Sequence, residues 1–110
     1  MIRITIYVNE HHVYTGFDVK GHAEFSDPGK DVVCAAVSML VINTMNAMEA
    51  FTEDETSHVS DEEEGTIEFR FRRRPSHDAD LLINTMILGL ESLEENSEYE
   101  PYIDIIFKEV

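Results

Sequence analysis

Cysteine is almost missing from this chain. Cys34 stands alone among 110 residues, so no internal disulfide can form and the fold must rest on packing. Cations are scarce as well: eight Lys and Arg face 23 Asp and Glu, a formal charge of −15 at pH 7. Such a surface repels nucleic-acid phosphate over most of its extent, so no direct nucleic-acid partner is expected. It attracts basic partners and speeds their encounter, although plain solubility accounts for the same acidity. No uninterrupted apolar run is of bilayer-spanning length. The longest candidate, Val32 to Met48, is broken by Ser38, Asn43, Thr44 and Asn46, and no membrane association is expected. The N-terminus lacks a basic stretch followed by an apolar one, which leaves no signal peptide to read and makes the cytoplasm the expected location. A glycine-rich phosphate loop is absent. One cysteine cannot build a Cys-rich zinc site, and His58 and His77 lack ligand spacing, so neither metal nor cofactor is expected.

What is present describes one domain over residues 1–110, with 43% hydrophobic residues, enough for one core. Ile2, Ile4, Ile6 and Val8 alternate with polar neighbours, the pattern of a half-buried strand. Asn9 to His12 reads as a turn, with His11 and His12 as turn residues, and a second strand carries Val13, Thr15, Phe17 and Val19. Glu24 to Lys30, with Ser26, Asp27, Pro28 and Gly29, reads as a loop. A helix is expected from Asp31 to about Phe51, apolar almost all the way round in its first turns and therefore central and deeply buried. Ser57 to Ser60 fits an edge strand between acidic patches. Thr66 to Arg72 is a strand, with Ile67, Phe69 and Phe71 on one side. Ser76 or Asp78 caps a second helix with the stripe Ala79, Leu82, Ile83, Met86, Leu90 and Leu93, and Tyr102 to Phe107 is the last strand. The order ββαββαβ predicts an α+β two-layer sandwich: a mostly antiparallel sheet with two helices packed on one face.

The chemistry concentrates in one stretch. Gly21-His22-Ala23 is followed, after a short gap, by Asp31-Val32-Val33-Cys34-Ala35-Ala36-Val37-Ser38. A cysteine in the first helical turn feels the positive end of the helix dipole, which favours thiolate, and a histidine within reach can take and return its proton. Asp31, Cys34 and Ser38 share one helical face at i, i+3 and i+7. Asp31 is placed at or near the N-cap, where it caps free N–H groups, orients His22, or does both. Backbone N–H groups around Cys34 are candidates to hold an oxyanion. Gly21 lets the backbone turn sharply enough to aim His22 at the helix. Each residue also has a plainer reading: Cys34 as a small core hydrophobe, Asp31 as a simple cap, Ser38 bonding back to its own helix, His22 as an exposed strand end. Arg70, Arg72, Arg73 and Arg74 form the one basic cluster. It could grip an acidic partner or RNA backbone, or pair with Glu62 to Glu64 and Glu68.

The segments MIRITIY, GFDVKGHA and DVVCAAVSML resemble the family of ribosomal-processing cysteine proteases (Prp) over residues 1 to about 48. The resemblance implies bacterial endopeptidases that remove a short N-terminal extension from a large-subunit ribosomal protein, number twenty-seven of that set. It implies a Cys–His dyad, here Cys34 and His22, with the motif's Gly21, Asp31 and Ser38 also present. It further implies a homodimer and a substrate-gating loop, here Ala23, Glu24, Phe25, Ser26, Asp27, Pro28, Gly29 and Lys30, in which Pro28 restricts the backbone. The resemblance leaves the Arg70–Arg74 cluster unexplained. A non-catalytic binding or assembly factor for a ribosomal protein or nascent ribosome is the competing function, and a thiol-dependent acyl-transfer enzyme a third. Intact His22 and Cys34 favour the protease, since a binding module needs neither.

Overall fold

The computed structural model describes residues 1–21, 28–61 and 63–110, with side chains of all but 28–31. The chain runs β1 (Ile2–Val8), β2 (Tyr14–Lys20), α1 (Pro28–Phe51), β3 (Thr56–Asp61), β4 (Thr66–Phe71), α2 (His77–Glu95), a 3-10 turn at Glu100–Tyr102 and β5 (Ile103–Glu109). The five strands form one sheet in the order β3-β4-β2-β1-β5. Three of the four pairings are antiparallel, and β1 with β5 is parallel. The expected order and the mostly antiparallel sheet are both observed.

Strand alternation decides which face is covered. Ile2, Ile4 and Ile6 of β1, Phe17 and Val19 of β2, Phe69 of β4 and Ile103 of β5 are all buried. Their pairings place them on one side of the sheet, where Phe17 stacks on Phe69 with ring centroids 4.9 Å apart. The helices cover this side with two stripes. Val33, Val37, Val41 and Met48 come from α1, and Ala79, Ile83, Met86, Ile87 and Leu90 from α2. Each fully buried Val, Leu, Ile or Met side chain among them contributes about 1.5–3 kcal/mol. The helices meet at Gly89, where a Cβ would lie 2.9 Å from a methyl of Leu40.

Two details of α1 differ from the sequence reading. The helix begins at Pro28, three residues before Asp31, so Pro28, Gly29 and Lys30 belong to its first turn and not to a loop. Proline suits that position because its missing N–H is one the first turn leaves unpaired anyway. The helix is also not deeply buried: Val32, Met39, Ile42 and Phe51 are exposed. In a two-layer fold the helix layer has an outer side, and only the stripe facing the sheet is removed from water. By length and composition alone, Val32–Phe51 is apolar enough to cross a membrane, a test that the core helix of a packed fold also meets. Here it is the helix that packs its Val33–Met48 stripe on the sheet.

The uncovered side of the sheet is polar. Asp18, nearly inaccessible, accepts hydrogen bonds from Arg70 at 2.8 Å and from the Tyr7 hydroxyl at 2.6 Å. The Arg70 guanidinium lies 4.5 Å from the Tyr7 ring centre, a cation–π contact. Gly16 sits between them in register, opposite both Tyr7 and Arg70. A Cβ on Gly16 would stand 2.2 Å from the Phe69 carbonyl oxygen and 2.7 Å from the Arg70 stem, so only glycine leaves the slot through which Arg70 reaches across. Burial, the largest influence on the Asp18 carboxyl, pushes its pKa up. The hydrogen bonds from Arg70 and Tyr7, with the charges of Arg70 and Lys20, outweigh it and hold the carboxyl below its ordinary value.

Candidate active site

The second strand and the first helix bring the motif residues to one place. Gly21, just past β2, adopts φ 107°, and a Cβ there would meet the Met1 carbonyl oxygen at 2.6 Å. The sharp turn expected of this glycine is therefore real, and an L side chain would be strained as well as crowded. Cys34 and Ser38, one turn apart on α1, face the same groove as Gly21. Cys34 is half-buried and packs its inner side on the core, so it is neither a sealed core thiol nor a loose surface one.

The groove has a volume of about 870 Å³ and lies between α1 and the β3–β4 edge of the sheet. Its floor is apolar: Val19, Val37, Val41, Ile67 and Phe69. Alternate residues of β3, namely Thr56, His58 and Ser60, form the far wall, because they pair with the inward-facing Phe71, Phe69 and Ile67 of β4. At the end of α1 remote from Cys34, Met45 and Glu49 continue the near wall and Glu53 and Asp54 close the rim. From Cys34 to Glu49 the helix rises about 22 Å, the length of six or seven extended residues. Apolar side chains of a bound strand would reach the floor while its backbone meets the hydroxyl and carboxylate groups of the walls.

The remaining motif residues divide into two groups. His22, Ala23, Glu24, Phe25, Ser26 and Asp27 lie outside the described residues, so the Cys–His pairing and most of the expected gating loop do too. Pro28, Gly29, Lys30 and Asp31 open α1. Asp31 is the fourth residue of the helix and not its N-cap, and Cys34 is the seventh. The helix dipole acts mainly within the first turn, so thiolate formation loses the dipole argument made for it from the sequence. Backbone N–H groups around Cys34 are engaged by carbonyls four residues earlier, as in any helix interior, so oxyanion donors must come from elsewhere. Ser38 presents a hydroxyl to the groove. Among the described residues, no group of three His, Cys, Asp and Glu side chains is placed to hold a metal ion.

Sequence reasoning missed the second wall, including His58, which it weighed only as a metal ligand. No local pattern announces that β3 will fold back beside α1; that depends on β4 pairing with both β2 and β3. The arginine cluster also divides differently from expectation. Arg70 pairs with Asp18, with the Glu68 charge also acting on it, and Arg73 approaches Glu55 at 3.9 Å; Glu62 lies outside the described residues, and among those described neither Glu63 nor Glu64 is within ion-pair distance of the cluster.

A reachable thiol in the wall of a groove sized for an extended chain defines a class, the thiol-dependent peptide hydrolases. Comparison with known proteins makes the assignment specific. The family described as cysteine protease Prp matches residues 1–104, and the chain belongs to that family. The ribosomal processing cysteine protease Prp of Bacillus subtilis (strain 168) is 32% identical over 100 residues, 87% of this chain and 89% of the relative. The crystal structure of the S. aureus protease with a covalently linked product peptide has 30% identity and a TM-score of 0.87, covering 98% of this chain and all of that one. A second structure of that protease, with a substrate peptide, gives a TM-score of 0.90 at 29% identity over the same share of both chains. The protein is thus a cysteine protease, and the reading of it as a binding factor without catalysis is set aside.

Proposed function

We propose that the chain is an endopeptidase that removes a short N-terminal extension from a large-subunit ribosomal protein, number twenty-seven of that subunit, through a Cys34–His22 dyad. The observation that carries this is the position of Cys34, half-buried, in the wall of an apolar-floored groove beside Gly21, the residue before His22. The covalently linked product peptide in the S. aureus relative is what a thiol nucleophile would leave. In this mechanism His22 accepts the Cys34 proton and the sulfur attacks the scissile carbonyl. The tetrahedral intermediate collapses as the C–N bond breaks, His22 gives the proton to the leaving amine, and a thioester remains on Cys34. Water, deprotonated by His22, adds to the thioester. The acid is released and the thiol restored. Asp31 supports this end of the helix as an acidic residue near its N-terminus. Ser38, one turn beyond the sulfur, presents its hydroxyl to the bound strand.

The apolar floor suits a substrate with a hydrophobic, aromatic-ended segment before the cut. The acidic rim at Glu49 and Glu53 and the overall charge of −15 suit the basic body of a ribosomal protein. We place the enzyme in the cytoplasm, where such a protein is made. We also read it as a homodimer: Met39 and Leu88 stand exposed on the outer side of the helix layer, next to the Leu40–Gly89 contact, and a second copy would cover them. Mass spectrometry of the extended ribosomal protein after incubation tests the function. The wild-type chain should produce one N-terminal mass loss. Cys34→Ala should produce none while still binding the substrate, and retained cleavage by that variant would remove Cys34 from the mechanism.

A further inference from the structure

We propose that a second cleft, at the end of the sheet opposite Cys34, docks the sugar–phosphate backbone of single-stranded RNA. The cleft encloses about 370 Å³ and is lined by Arg72, Arg73 and Arg74, with Asn9 and His11 across from them and the half-buried Phe71 ring at its side. These three arginines are a large part of the eight cations in a chain that is otherwise strongly acidic. Arg70 is consumed by Asp18 and Tyr7, but the next three arginines are not. Among the described residues only Arg73 has a carboxylate near it, Glu55 at 3.9 Å, and Arg72 and Arg74 have none within ion-pair distance. Three adjacent guanidinium groups repel one another, and the fold leaves that repulsion largely uncompensated, so an anion gains from all three.

The surroundings specify the kind of anion. The backbone is fixed, because the Arg72 N–H donates to the Glu55 carbonyl at 3.0 Å and Pro75 follows the run, so the guanidinium forks project from a set base. Such forks match phosphate bidentately. Asn9 uses its side-chain oxygen to accept from the His11 and Val13 N–H groups, which leaves its amide NH2 as a donor. The Thr15 hydroxyl donates to the Tyr7 carbonyl, which leaves its lone pairs to accept a ribose 2′-hydroxyl. The part of the Phe71 ring that lines the cleft, beyond its edge-to-face contact with Phe69, offers an aromatic surface against which an unpaired base packs. An acidic peptide would also use the arginines, and competition by polyglutamate separates it from RNA. The sequence-level expectation against nucleic acid holds for most of the surface; this one end is the exception, and the surrounding charge limits it to a short single strand. β2 separates the cleft from Gly21 by about 20 Å, so RNA held here leaves the peptide groove open.

Fluorescence anisotropy with a labelled RNA octamer tests the proposal, with an equal-length DNA, a polyglutamate peptide and inorganic phosphate as competitors. RNA should bind with a Kd on the order of 10⁻⁴ M. With two or three phosphates engaged, raising salt from about 50 to about 200 mM should weaken binding roughly 7- to 18-fold. Arg72→Gln with Arg74→Gln should abolish binding while leaving peptide cleavage and thermal stability unchanged. Glu55→Gln, which frees Arg73, should tighten binding two- to threefold. Binding that survives the double substitution, or that polyglutamate, phosphate or DNA competes for as well as RNA does, overturns the assignment.

Discussion

Asp18→Asn should show how far the back of the sheet stabilises the fold. The carboxylate is 8% exposed and is held by Arg70 at 2.8 Å and Tyr7 at 2.6 Å. Breaking one side of a fully buried ion pair costs about 3–5 kcal/mol. Arg70, however, is 42% exposed and can turn to water, so the larger figure must be discounted. A loss of about 2 kcal/mol remains, the size of one charge-assisted hydrogen bond. For a chain of this length, that lowers Tm by about 9 °C. A double-mutant cycle with Arg70→Met, which keeps the stem over Gly16, isolates the pair. Urea unfolding at neutral pH should give a coupling of about 1–2 kcal/mol. The pH dependence has a definite sign. Because the folded Asp18 carboxyl is held below its ordinary value, its contribution is complete above the unfolded carboxylate pKa of about 3.9. It is lost as pH falls from there through the folded value, because the unfolded chain takes up the proton first. The coupling should therefore shrink in acid. A coupling under about 0.5 kcal/mol at neutral pH, or one that acid leaves unchanged, would refute the assignment of this network as a stabilising clamp.

Gly16→Ala should destabilise the protein by at least about 2–3 kcal/mol, read by urea unfolding, since its Cβ meets a backbone oxygen at 2.2 Å and β2 and β4 would have to part. His22→Asn should abolish peptide cleavage while His58→Asn, across the groove from α1, keeps it within a few-fold; the reverse result would make His58 the base. The initial cleavage rate of a peptide that carries a basic tail should fall as salt rises, and the same peptide without the tail should show little change; equal salt response in both would exclude electrostatic steering by the −15 charge.

The legible parts of this fold are those written in local periodicity. Ile2-Ile4-Ile6 and Ile67-Phe69-Phe71 alternate because one side of each strand faces the helices, and the Ala79–Leu90 stripe repeats because one side of α2 faces the sheet. Of the two caps the sequence offers for α2, Ser76 and Asp78, Ser76 is the one used, its side chain accepting from the Ala79 N–H, and Asp78 lies in the first turn. Pro28-Gly29 misleads because both residues punctuate loops far more often than they open helices, although proline is well suited to a first turn. The burial of α1 is over-read for a related reason: Val32, Met39 and Ile42 make the helix apolar on more sides than two layers can cover. Asp18 and Gly16 are illegible from sequence because their meaning is pairwise, and Arg70 lies 52 residues from Asp18. The site divides along the same line. Gly21, Cys34 and Ser38 form one local motif, whereas the wall of Thr56, His58 and Ser60 exists only once β4 has joined β3 to β2.

The clamp on the back of the sheet and the groove on its front are joined through β2. That strand carries Phe17 and Val19 inward and Asp18 outward, and it delivers Gly21 to the end of the groove. Because side chains alternate, a slip of one residue would turn Asp18 into the core and Phe17 toward water, and would move Gly21 by one strand step. Hydrophobic burial of Phe17 and Val19 opposes such a slip from one side. The Tyr7–Asp18–Arg70 network opposes it from the other, because its three members come from β1, β2 and β4 and meet only in the observed register. A step of about 3.3 Å is as long as a hydrogen bond, so it would carry Gly21 away from its place beside the Cys34 groove. Residues that never touch a substrate thus hold the strand that brings Gly21 to the groove whose wall carries Cys34.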